Sequence, residues 1–163
     1  MPVRLAMRTR YNVSMLDRVQ YGPVPRQRLY ERFTDGRISG LLNEDLLQTL
    51  FIGLTRNDVG GGSHDLMDQQ NRRYESRTIT NRGVNLVPSN QIGQGRMINL
   101  DAIAERRNEL YAFIFVDVRN SPNYFIFSIP VDDPVFEYRR KLTCNQVDEI
   151  VADYPNRTIP IRL

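Results

Sequence analysis

The chain is nearly without lysine, cysteine and histidine. It has one of each, Lys141, Cys144 and His64. A lone cysteine excludes an internal disulfide and a zinc site built from several cysteines. It also suits reducing, cytoplasmic surroundings. With 22 basic residues and a single lysine, the positive charge is almost all arginine. Arginine stays protonated (pKa above ~12), so it cannot serve as a base. No apolar run approaches the ~18 residues of a membrane span, so a membrane partner is not expected. The opening MPVRLAMRTR is too charged for the apolar core of a secretory leader.

The 163 residues, 40% of them hydrophobic, suit one domain with one core. The charge is uneven. Residues 1–40 hold eight arginines against Asp17, Glu31 and Asp35, a net +5 in a chain whose total is +3. A basic arm (1–40) on a near-neutral body (41–163) suits a polyanion such as nucleic acid. A solvated surface that happens to be basic is the plainer alternative.

Tyr21–Gln27, YGPVPRQ, reads as a break before the body. Asn43 reads as a helix N-cap, with Glu44 and Asp45 in the first turn. Leu46, Leu47, Leu50, Phe51 and Leu54 then recur at helical spacing. SHDLMD is a short strand candidate and DQQNR a turn. RRYESRTIT alternates with period two, and GVNLVPSNQI is an extended piece that Pro88 places at an edge or bulge. NLDAIAERRNEL predicts a helix capped by Asn99. YAFIFVDV, apolar throughout, predicts a strand buried on both faces. RNSPN is a turn leading to a second strong strand, YFIFSIPV, which makes a hairpin. Thr143 caps a last helix, and RTIPIRL closes as a short strand. Asp117, Asp132 and Asp133 are expected at the surface or in turns. This order predicts an α/β or α+β fold with a central mixed sheet flanked by helices.

The stretch that carries chemistry is GGGSHDLMDQQNRRYESRT, 60–78. Asp65 and Glu75 would lie on adjacent strands of a bent hairpin. Two carboxylates aimed at one spot can hold a hard cation such as Mg²⁺, which prefers oxygen ligands and keeps several waters. Arg77, two residues past Glu75, shares its face of a strand and could steady a phosphate or an attacking hydroxide. A same-face surface ion pair is the bland reading of Glu75 and Arg77. His64 could hydrogen-bond a phosphate, or be an ordinary loop residue. Asp58 and Asp68 are alternative carboxylates, with Asp68 in the turn. Glu44 or Asp45 could add an acid near a metal, although first-turn placement points to dipole compensation.

The leucine-rich helix DLLQTLFIGLT, the glycine loop RNDVGGGSH, Asp65 and then Glu75-Ser76-Arg77-Thr78 resemble the PD-(D/E)XK restriction-endonuclease superfamily. Within it, the likeness is to the small, homodimeric, blunt-cutting type II restriction enzymes. It spans roughly 41–91. The resemblance implies a restriction-endonuclease-like core, double-stranded DNA as substrate, a homodimer and a place in a restriction–modification system. It implies Asp65 and Glu75 as Mg²⁺ ligands and Arg77 in the position of the catalytic lysine. Each subunit would cut one strand by in-line attack of a metal-activated water. Arg77 is the departure from the pattern, since it can orient water and stabilise negative charge but not deprotonate. In that family the next stretch reaches bases in the major groove. Here it holds Ser89, Asn90, Gln91, Gln94 and Arg96, types that can pair with adenine or fork onto guanine. Two other readings stay open. One is a weak or inactive nucleic-acid-binding protein on the same fold. The other is a protein-interaction domain.

Overall fold

The computed structural model describes residues 9–12, 19–34, 39–57, 64–87, 97, 99–137 and 139–153. Among them are eight strands and four helices. In chain order these are β1 (Thr9–Asn12), α1 (Arg26–Phe33), α2 (Ser39–Leu50), β2 (Thr55–Arg56), β3 (Leu66–Met67), β4 (Arg73–Ile79) and β5 (Val84–Asn85). There follow α3 (Leu100–Asn108), β6 (Ala112–Asp117), β7 (Asn123–Pro130), β8 (Lys141–Leu142) and α4 (Cys144–Ala152).

Six strands form one mixed sheet in the order β1-β7-β6-β4-β3-β2. β4 and β6 run parallel, with Glu75 beside Phe113 and Arg77 beside Phe115. A parallel neighbour needs a crossover, and the chain from β5 through α3 supplies it. The other pairs in this sheet are antiparallel. β5 and β8 form a separate two-stranded ribbon. The architecture is mixed α+β, as the element order implied.

β6 is buried at every residue because apolar layers cover both faces. Leu47, Phe51 and Leu54 of α2 and the residues after it pack with Tyr74, Ala112, Ile114 and Val116 on one side. Ile79, Phe113, Phe115, Phe127 and Ile129 pack with Phe136, Val147 and Ile150 on the other. Even positions of β4 thus face α2 and odd positions face the α4 side, which is the period-two rule of a strand. Glu75 and Arg77 are odd. They replace apolar residues in a face that elsewhere is core.

The predicted caps of the last two helices hold. Asn99 accepts from the Ala102 N–H at 3.1 Å. Thr143 and Gln146 form a reciprocal capping box. The cap expected at Asn43 is corrected. α2 already runs from Ser39, so Asn43, Glu44 and Asp45 lie inside the helix and not in its first turn. Asn43 is buried and donates to the Thr78 hydroxyl at 2.8 Å. A tertiary partner has claimed the side chain that sequence reading gave to the helix end. The boundary drawn at residue 40 falls within α2.

Asp117 is a second correction. It is wholly buried, where a surface or turn position was expected. Arg119 forks onto both its oxygens at 2.9 and 2.8 Å and also reaches Asp148. A buried carboxylate is tolerated because a guanidinium matches it at two points. Asp132 and Asp133 do lie in a turn, and Asp133 caps the short 3₁₀ turn Pro134–Phe136. β1, α1, β2 and β8 had no sequence forecast. They are short or strongly polar, and α1 buries none of its residues. The expected strand RTIPIRL and the Pro88 segment lie outside the described residues.

Candidate active site

The site forms where β3 ends. Leu66 pairs with Tyr74, so Asp65 and Glu75 are the next residues along, at the same end of that pairing. Asp65 leaves the ladder yet replaces one of its bonds. Its Oδ2 accepts the Ser76 N–H at 2.9 Å. Its own N–H donates to the Tyr74 carbonyl at 3.0 Å, and its carbonyl accepts from Asn57 at 2.8 Å. The four consecutive polar positions Glu75 to Thr78 would be costly in a sheet interior without such partners.

Glu75 is 2% exposed. Arg77 donates to its Oε1. Arg106, from the last turn of α3, donates Nε to Oε2 at 3.1 Å and a terminal nitrogen to Oε1 at 3.2 Å. Glu75 is therefore gripped by a near neighbour on its own strand and by a distant residue on the crossover helix. Burial pushes its carboxyl up from the usual range, with Asp65 adding to the rise and the Arg77 and Arg106 charges opposing it.

Glu44 joins the group from α2. Its pKa is raised to about 7, first by burial and next by the Asp65 charge, while Arg56 and Arg77 pull it down. Arg56 lies 3.6 Å from Glu44 and 2.7 Å from Asp45. The dipole role expected of Glu44 and Asp45 is thereby corrected, since both are paired with Arg56 beside the site. Arg107 sits behind. Burial lowers its pKa, the Arg77 charge adds to that, and Glu75 opposes it. It donates to the Phe136 and Arg139 carbonyls at 3.1 and 2.9 Å. The Nε atoms of Arg77 and Arg107 are buried with no hydrogen-bond partner among the described residues. Arginines 56, 77, 106 and 107 thus stand among four carboxylates, Glu44, Asp45, Asp65 and Glu75, in a mixed-charge cluster.

The fold brings together three of the predicted residues, Asp65, Glu75 and Arg77. His64 adjoins them, half-buried. Burial lowers its pKa, helped by the Arg73 charge. Ser89, Asn90, Gln91, Gln94 and Arg96 lie outside the described residues, as does Asp58. Asp68 has a different task. It is buried and accepts from Arg72 Nε at 2.7 Å and the Tyr74 hydroxyl at 2.9 Å, so it clamps the β3–β4 turn. Lys141 is exposed in β8 beside Asn85. Sequence reading missed Arg106, Arg107 and Arg56. Cations in the last turn of a helix read as dipole partners, and nothing local reveals a carboxylate 31 positions away.

Among the described residues, no three of His, Cys, Asp and Glu gather closely enough to cage a metal. Two carboxylates still suit Mg²⁺, which needs only one or two of them beside water and phosphate oxygens. Oε2 of Glu75, which accepts from Arg106, keeps a second lone pair, whereas Oε1 accepts from both guanidiniums. The donor set therefore fits a weakly held, hard cation. Among the described residues, no helix is long and apolar enough to cross a membrane. No protein-family model matches the chain, and no curated protein matches it significantly.

Proposed function

We propose that the protein is a site-specific DNA endonuclease of the type II restriction kind, Mg²⁺-dependent, with a restriction-endonuclease-like core and acting as a homodimer. The observation that carries the reading is the convergence of Asp65, Glu75 and Arg77 at the open end of β3. The sequence motif needed those three side chains at one place, and folding could have separated them. The mixed sheet flanked by helices and the arginines gathered around the site support it further.

In this reading Asp65 and Glu75 would hold the cation. When bound, Mg²⁺ supplies an acidified water and neutralises charge on the scissile phosphate. Arg77 orients the attacking oxygen and stabilises the negative charge that develops on phosphorus. Glu44, half-protonated near neutral pH, can hold or release a proton beside the same spot. Dimerisation lets two equivalent sites address the two strands of a palindrome.

The test is digestion of plasmid and phage DNA by purified protein, with Mg²⁺ and with EDTA, beside Asp65→Ala. Discrete Mg²⁺-dependent bands that the variant does not give are expected. One observation favours a second reading, a catalytically weak nucleic-acid-binding protein. Arginine stands at the lysine position, and two guanidiniums already neutralise Glu75. Salt-sensitive DNA retention with no cleavage would select it.

A further inference from the structure

We infer that Arg106 is a resident counter-ion for Glu75, a tethered cation that a divalent metal must displace before it can bind there. The inference rests on the metal-dependent reading above. Arg106 forks onto both Glu75 oxygens at 3.1 and 3.2 Å. Its side chain is 26% exposed, against 3% for Glu75. The guanidinium therefore has a way out to solvent, whereas the carboxylate does not.

The remaining neighbours do not oblige Arg106 to stay. Glu75 would keep Arg77, which approaches Oε1 from the same strand face. Arg77 also reaches the Val87 carbonyl at 3.4 Å, so it is held at two points. Among the described residues, the Arg106 side chain has no such second anchor besides Glu75. A divalent cation held by Glu75 and Asp65 in its place would exchange one positive charge for two. The freed guanidinium remains on the last turn of α3, about two turns from Asn99, as a partner for an anion. The arrangement sets a threshold. With little divalent cation the site is closed by its own arginine. Arg106 is thus a positioning residue acting through Glu75.

The test is calorimetric titration of the full chain with Mn²⁺ at pH 8, without DNA. The variants are Arg106→Gln, Arg106→Lys, the double variant Asp65→Ala/Arg106→Gln, and Arg73→Gln. Arg73 is a charge control, since it pairs with Glu109 at 3.2 Å. Competition predicts that Arg106→Gln binds Mn²⁺ about tenfold tighter than the parent chain. Arg106→Lys should fall between, at about threefold, because a point charge grips a carboxylate less well than a fork. Arg73→Gln should stay within about twofold, as a screened surface charge does. Adding Asp65→Ala should remove the gain.

Equal or weaker Mn²⁺ binding by Arg106→Gln, with the parent chain binding, would overturn the inference and leave the metal site standing. A gain of the same size in Arg73→Gln would also overturn it, since net charge alone would then account for the effect. No binding by any variant would overturn the metal-dependent reading and this inference with it. If Arg106→Gln loses its circular-dichroism signal, Arg106→Lys carries the comparison, and an unchanged affinity there overturns the inference.

Discussion

Asn43 of α2 donates its side-chain N–H to the hydroxyl of Thr78 on β4 at 2.8 Å, across 35 positions of sequence. The bond fixes the rotation of α2 over the sheet. Its neighbour Glu44 feels the Asp65 charge and, more weakly, that of Arg77. Asn43→Ala should cost about 1–3 kcal/mol, the range for a buried bond whose partner is left unsatisfied. Denaturant midpoints at constant slope would show it. A shift under ~0.5 kcal/mol would mean that α2 is placed by its leucines alone.

Glu44 should make stability depend on pH. Its carboxyl is raised from 4.5 to about 7 in the fold. Between those values the folded chain binds the extra proton. The Glu44 contribution to stability is then fully present below pH 4.5, declines as pH rises through the window and is lost above 7. Glu44→Gln fixes the neutral form. It should flatten that decline and leave the protein more stable at pH 8 by about 1–3 kcal/mol. Urea melts at pH 5, 6, 7 and 8 measure the difference. Parallel curves for the two proteins would reject the assignment.

Asp117 and Asp148 both pair with Arg119, from opposite environments. The Asp117 side chain is 0% exposed and that of Asp148 60%. Asp117→Asn should cost about 3–5 kcal/mol, because it strands a nearly buried guanidinium. Asp148→Asn should cost under ~1 kcal/mol, as exposed pairs do. Thermal melts of the two variants should differ plainly, and equal losses would contradict this division.

Gly83 closes the turn after β4 with φ +82°, and a Cβ there would meet the Leu142 carbonyl oxygen at 2.1 Å. Gly83→Ala should therefore cost more than about 1 kcal/mol, from both the left-handed backbone and the clash with β8. Hydrogen exchange should show the β5–β8 ribbon opening first. An unchanged melting curve would mean that the ribbon shifts freely.

Arg77 tests the chemistry. Under the proposed function, Arg77→Ala should lower the cleavage rate by about a hundredfold or more, the scale for losing one stabilising donor. Arg77→Lys should retain cleavage, since the positive charge survives. Single-turnover digestion of a plasmid separates the two. If Arg77→Ala cuts as fast as the parent chain, Arg77 has no part in the reaction.

Much of the scaffold could be read from sequence because local rules decide it. Period two defined β4, and an unbroken apolar run announced β6. Asn99 and Thr143 advertised two helix starts. Those signals depend on neighbours within a few residues, where backbone geometry dictates which side chains share a face. The spacing of Asp65, Glu75 and Arg77 was legible for the same reason, since a tight turn and an antiparallel pair fix where they meet.

The rest was decided by elements that meet only in space. Asn43 has the chemistry of a cap, and Thr78 took it instead. Asp117 looked like a strand-end acid until Arg119 and a covering core made burial tolerable. Arg106 reads as an ordinary cation at the end of a helix. Only the crossover that lays α3 against β4 turns it into the partner of Glu75. The sequence by itself determined β4, β6, β7, the starts of α3 and α4 and the spacing of the three motif residues, through local periodicity and capping. The tertiary structure alone decided which charges neutralise which, because an ion pair depends on distance in space and not along the chain.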